Sequence, residues 1–102
     1  MKALKISTND EVTIIGLQKP LHRTLQEKLG GYFEIVRPRR LASPFCMIVD
    51  EDGLSKGLPV NQIGSLLYET DRHGSPIVGN IIIMALQSGP DGLDITGLSN
   101  SE

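Results

Sequence analysis

The chain has 102 residues and a formal net charge of −2, so it has room for one domain and no general attraction to nucleic acid or to an anionic membrane. Its aromatic side chains are Tyr32, Phe33, Phe45 and Tyr68, too few to fill a core, so leucine, isoleucine and valine must form it. A single cysteine, Cys46, excludes an internal disulfide and suits a reducing compartment.

The N-terminus, Met-Lys-Ala-Leu-Lys-Ile, mixes charged and apolar residues and carries no signal-peptide core. From Lys2 to Ser7 it predicts a half-buried strand, with Leu4 and Ile6 on one face and Lys5 on the other. Thr8-Asn9-Asp10 is a turn signal, and Val12, Ile14 and Ile15 make residues 11–16 the return strand of an antiparallel hairpin at one edge of a sheet. Pro20 then stands where a helix can begin, followed by Leu21, Leu25 and Leu29 at i, i+4 and i+8. His22, Arg23, Gln26, Glu27 and Lys28 form its outer face. A helix of about three turns is too short to stand alone and must lie on the sheet.

Gly30 or Gly31 supplies the left-handed residue that ends such a helix. Tyr32 to Val36 is aromatic or β-branched except for Glu34, and Pro38 stops this third strand. Arg37, Arg39 and Arg40 follow as the densest positive cluster in the chain. Phe45 to Val49 predicts a fourth strand, in which Cys46 reads as a small buried hydrophobe. Asp50-Glu51-Asp52-Gly53 reads as a solvated turn with a glycine free to take positive φ. It lacks the alternating ligands and distant glutamate of a calcium loop.

Leu58 precedes a proline and is therefore extended, and Asn61 can cap a short helix from Gln62 to Tyr68 with Ile63, Leu66 and Leu67 as its apolar stripe. Gly64 weakens this helix by about 1 kcal/mol relative to alanine, which calls for tertiary packing or a close approach to its backbone. Residues 70–75 form a polar loop. Pro76 opens the last strong strand, Ile77 to Leu86, interrupted at Gly79-Asn80. Its apolar residues on both faces make it central, with helices on one side and the hairpin or a partner subunit on the other. Its longest apolar run, Ile81 to Leu86, is far short of the ~18 to 20 residues that cross a bilayer. Residues 87–92 read as a turn, 93–98 as an edge strand, and 99–102 as a frayed tail beyond a single domain of residues 1–98. The fold class is α+β: a mostly antiparallel sheet of about five strands carrying one longer and one short helix on one face.

Phosphate loops of the Gly-x-x-x-x-Gly-Lys and Gly-x-Gly-x-x-Gly types are absent. His22 and His73 lack the partners of a zinc site and read as surface residues. Asp71-Arg72-His73-Gly74-Ser75 is the one local grouping with hydrolytic residue types, and neighbours in a loop rarely assemble a triad. No cofactor, metal or catalytic residue is expected. Recognition then falls to Tyr32, Arg37, Arg39, Arg40, Lys56, Asn61, Gln62 and Tyr68. Guanidinium forks grip phosphate or carboxylate bidentately and stack on bases. Surface solubility is the competing role of the arginines, as helix capping is of Asn61.

The run Gly30-Gly31-Tyr32-Phe33-Glu34-Ile35-Val36-Arg37-Pro38, the acidic turn before Gly57-Leu58-Pro59-Val60-Asn61, and the late Ile77-Val78-Gly79-Asn80 resemble a family of small proteins of unknown function carried by bacteriophages and plasmids. Phe33 and Ile35 stand where that pattern has Ile and Val, and Arg39-Arg40 lies in a stretch where variation is expected. The resemblance covers nearly the whole chain. It implies a phage setting in the cytoplasm of an infected bacterium, where a small protein without catalytic motifs acts by abundance and affinity. The expectation is a sponge that sequesters a nucleotide-derived immune signal, a cyclic dinucleotide or a cyclic ADP-ribose-like molecule, without degrading it. Its pocket is expected where Arg37 to Arg40 meets the Asn61 turn or a neighbouring subunit, in a homodimer or higher oligomer. An interaction module that inhibits a host protein through a sheet edge or the first helix is the alternative, and a small hydrolase using His73 or Cys46 the second.

Overall fold

The computed structural model describes residues 1–38, 40–42, 44–68, 76–89 and 92–98. They form a six-stranded antiparallel sheet with two helices: β1 (Lys2–Ile6), β2 (Val12–Gly16), α1 (Leu21–Leu29), β3 (Phe33–Val36), β4 (Phe45–Asp50), α2 (Gln62–Leu67), β5 (Ile81–Gly89) and β6 (Gly92–Thr96). The strand order is β2-β1-β5-β4-β3, with β6 also paired to β5. One long edge of β5 is taken by β4. The other is shared end to end, by β1 along Ile81 to Ile83 and by β6 from Ala85 to Gly89. Where they adjoin, the Leu98 N–H donates to the Lys2 carbonyl (2.8 Å), and a Cβ on Gly97 would lie 2.9 Å from that oxygen.

The opening hairpin forms as expected, with Leu4 opposite Ile14 and Ile6 opposite Val12. Pro20 sits at the N-cap of α1, one position before the predicted site, and the Thr24 hydroxyl donates to the carbonyls of Gln18 (2.8 Å) and Pro20 (3.2 Å). Gly30 ends the helix in the left-handed conformation (φ 83°), its N–H donating to Gln26. No described helix is long and apolar enough to cross a membrane.

The helices lie on opposite faces of the sheet, where one shared face was expected. Leu21, Leu25 and Leu29 of α1 pack with Ala3, Cys46, Ile48, Ile82 and Met84. The alternate residues Ile6, Met47, Val49, Ile81 and Ile83 face Ile63 of α2 together with Tyr68 and Ile77. Period-two alternation in β4 and β5 thus serves two cores, one per helix. Ile81 to Ala85 are buried within a single chain, so a partner subunit is not needed to cover β5.

The last long strand begins at Ile81, not at Ile77. Gly79 takes φ 78°, which breaks the extended run, and a Cβ there would sit 2.8 Å from Leu58 Cδ1. Val78 keeps a single antiparallel bridge to Val60. At the other end the ladder outlasts the predicted turn: Gln87, Ser88 and Gly89 pair with Asp94, Leu93 and Gly92.

Candidate functional site

The acidic stretch after β4 is built differently from a solvated turn. The Asp50 side chain is 2% exposed and accepts hydrogen bonds from Lys56 Nζ (2.7 Å, Oδ2) and the Asp52 N–H (2.8 Å, Oδ1). Lys56 Nζ also donates to the Gly30 carbonyl (3.0 Å), so this one ammonium ties the loop to both the end of β4 and the end of α1. Gly53 is required for space and not for a positive φ: a Cβ would meet Val78 Cγ2 at 2.7 Å. Replacing Lys56 by methionine leaves the buried carboxylate without its counter-charge. With Lys56 itself 37% exposed, the expected loss is about 3 kcal/mol, the low end for a broken buried pair, measurable by urea denaturation.

Asn61 is fully buried and engaged in three hydrogen bonds. Its Oδ1 accepts from the Gly64 N–H (2.9 Å), capping α2, while Nδ2 donates to the carbonyls of Ile6 (3.0 Å) and Gly79 (2.9 Å). With both amide hydrogens committed, Asn61 is a structural cap with nothing to offer a ligand. Gly64 admits the close approach its sequence position suggested: a Cβ would lie 3.1 Å from both Ile77 Cγ2 and Ile81 Cδ1. Gln62 is exposed on the first turn of the same helix.

Arg40 Nη1 donates to the Leu66 carbonyl on α2 (2.8 Å). Arg37 is exposed just past β3, and the Cys46 thiol belongs to the α1 core. Burial pushes that thiol's pKa up, and the Met84 backbone hydrogen bond and the Arg37 charge offset this only in part. Such a thiol is poorly suited to nucleophilic attack. Arg39 and the Asp71-Arg72-His73-Gly74-Ser75 grouping lie outside the described residues. Tyr32 is 68% exposed just before β3, close to Lys56 through Gly31 and far along the strand from Arg37. His22 is exposed and stacks at a tilt on Phe33, with ring centroids 4.9 Å apart. Among the described residues no three His, Cys, Asp or Glu side chains group as a metal site.

One concavity does include a predicted residue. A cleft of about 170 Å³ on the α2 face of the sheet is lined by Glu34, Val36, Glu51, Leu54, Tyr68 and Ile77. Glu34 lies opposite Val49 in the β3–β4 ladder, and the Glu51 N–H donates to the Tyr32 carbonyl (3.1 Å), which puts the two glutamates on neighbouring chain segments at one wall. Tyr68 follows α2, whose Leu66 carbonyl holds Arg40. The cleft therefore offers a half-buried phenol ring, an apolar floor, the carboxylates of Glu34 and Glu51 and the Lys56-paired Asp50, with a guanidinium on the neighbouring helix end. Sequence reasoning passed over the glutamates. The single polar break in an otherwise apolar strand at Glu34 was the available signal, whereas Glu51 looked like part of a solvated turn.

No curated protein and no solved structure matches the chain. A family model described as a domain of unknown function (DUF3846) matches residues 1–100. The chain belongs to the DUF3846 family, whose sheet here carries a two-faced core and a tyrosine cleft edged by carboxylates.

Proposed function

We propose that this protein acts by occupancy, binding a nucleotide-derived anion in the Tyr68 cleft and withholding it unaltered. The observation that carries the reading is the composition of that cleft, since each group has a nucleotide counterpart. An aromatic face stacks a base, carboxylates accept hydrogen bonds from ribose hydroxyls, and Arg40 beside the cleft suits a phosphate. Glu34 and Glu51 repel a phosphate from the cleft floor, so the anionic part of the ligand belongs at the Arg40 rim. The cleft volume is below the ~300 Å³ at which drug-sized ligand pockets begin. The rest of a cyclic dinucleotide or cyclic ADP-ribose-like molecule therefore extends over the rim or against a second copy of the chain. In the phage setting that the sequence resemblance implies, the ligand is an immune signal of the bacterial cytoplasm and the effect is anti-defence.

The test is ligand release. The protein is incubated with a panel of cyclic nucleotides, freed of unbound material and heat-denatured, and the released molecule is then identified. Intact ligand is expected, together with stabilisation of about 2.7 kcal/mol at a hundred times the dissociation constant. Arg40→Ala should weaken binding by about 1.5 to 3 kcal/mol, the range for a charge-assisted hydrogen bond, while Arg37→Ala should leave it unchanged because Arg37 does not line the cleft. Altered ligand would instead identify an enzyme.

A second reading has its own observation. The outer edge of β2 is unpaired among the described residues, and Val12 and Ile14 on it are 53% and 73% exposed. Sheet edges are commonly guarded by lysine, proline or a bulge, and Val12–Gly16 contains neither of those residues. An extended segment of a host protein adding to β2 would make the chain an inhibitor by strand addition. Release of no ligand, with host-protein binding lost in Ile14→Lys, is the result that selects it.

A further inference from the structure

We propose that a second cavity, at the end of the sheet where β1 and β4 finish and β5 begins, binds a small oxyanion, a phosphate or carboxylate group, through Lys28, Asn80 and Thr8. The cavity measures about 220 Å³, and its apolar floor comes from Leu29, Leu58 and Pro59. Asp50 is the one carboxylate in its lining and is already neutralised by Lys56. Lys28, by contrast, has no ion pair or hydrogen bond to any described residue.

Asn80 fixes the polarity of the site. Its Oδ1 accepts from the Thr8 N–H (3.2 Å), which turns the carboxamide so that the other end is the Nδ2 amide, unused among the described residues. Lys28, Asn80 and Thr8 thus line one cavity, and their side chains carry an ammonium, an amide and a hydroxyl, each a donor type suited to an oxyanion. Gly79, also in the wall, brings the backbone in close at a left-handed φ where a side chain would collide with Leu58. The site is separate from the Tyr68 cleft, with which it shares only Asp50 in its lining.

The full chain, labelled with ¹⁵N, is titrated with inorganic phosphate and separately with acetate, at constant ionic strength against chloride. Saturable shifts are expected at the Thr8 and Gly79 amides and at the Asn80 side-chain amide. Lys28→Gln should weaken binding about tenfold or more, as loss of a charge-assisted bond does. Asn80→Asp keeps an acceptor for Thr8 but replaces the donor with a charge, and should abolish binding. Tyr68→Ala should leave it intact, so failure here and failure of the nucleotide reading are told apart. Shifts that do not saturate, an equal response to chloride, or unchanged affinity in Lys28→Gln would each overturn the proposal. Lys28 is exposed, so its variant keeps the test valid even where Asn80→Asp fails to fold.

Discussion

Asn61→Ala should bring the domain close to unfolding at room temperature. The side chain closes three separate pieces of backbone onto one point: the start of α2, the end of β1 and the bend before β5. Removing it costs about 1 kcal/mol for the cap, and about 1 to 3 kcal/mol for each buried group left without its partner. The sum is a loss of roughly 4 kcal/mol, against the 5 to 15 kcal/mol typical of a whole domain. Urea denaturation gives the total, and hydrogen exchange at Gly64 separates the cap from the rest. Asn61→Asp refines the result, because it retains the acceptor for Gly64 while facing the Ile6 and Gly79 carbonyls with a carboxylate. It should lose as much stability as alanine or more. A fall of less than about 1 kcal/mol in Asn61→Ala would mean that water replaces the amide, and that the three segments are held by packing alone.

Leu25→Ala is expected to cost about 2 to 5 kcal/mol, the range for truncating a buried leucine. Leu25 is the wholly buried residue of α1, at the centre of the core that holds Cys46, Ile48, Ile82 and Met84. Leu21 and Leu29, one turn away on either side, are only partly buried and should cost less when truncated. The ordering distinguishes a cavity in a close-packed core from a general loss of helix, because alanine is itself the best helix former. Chemical denaturation of the three variants measures it: equal losses, or an altered denaturant slope, would show that α1 is docked loosely or that the denatured state has changed.

The local chemistry of the chain was legible from sequence wherever one residue type has a single cheap use. Gly30 or Gly31 after a leucine stripe meant a left-handed helix end, and Asn61 after Leu-Pro-Val meant a cap; Gly30 and Asn61 take these places in the structure. The centrality of β5 followed from apolar residues on both of its faces. Which element covers each face did not follow, because alternation records burial and not the identity of the neighbour. Asp50 misled for a similar reason. Three consecutive acids look solvated, and nothing adjacent shows that Lys56, six residues on, folds back over the first of them. Arg37 and Arg40 form a cluster by proximity in the chain, and no local pattern shows that Arg40 reaches across 26 residues to the Leu66 carbonyl on α2. The cleft around Tyr68 needed β3, β4 and the segment before β5 to be brought together, and no local pattern encodes that assembly.

The position of β5 has a kinetic consequence. The hairpins β1–β2 and β3–β4 are complete by residue 50 yet share no ladder with each other, since the strand that joins them starts at Ile81. During synthesis the two ribbons must wait, each with an apolar surface uncovered, until the late segment threads between them. Closing contacts over such sequence separations slows folding and lengthens the interval in which a nascent chain can aggregate.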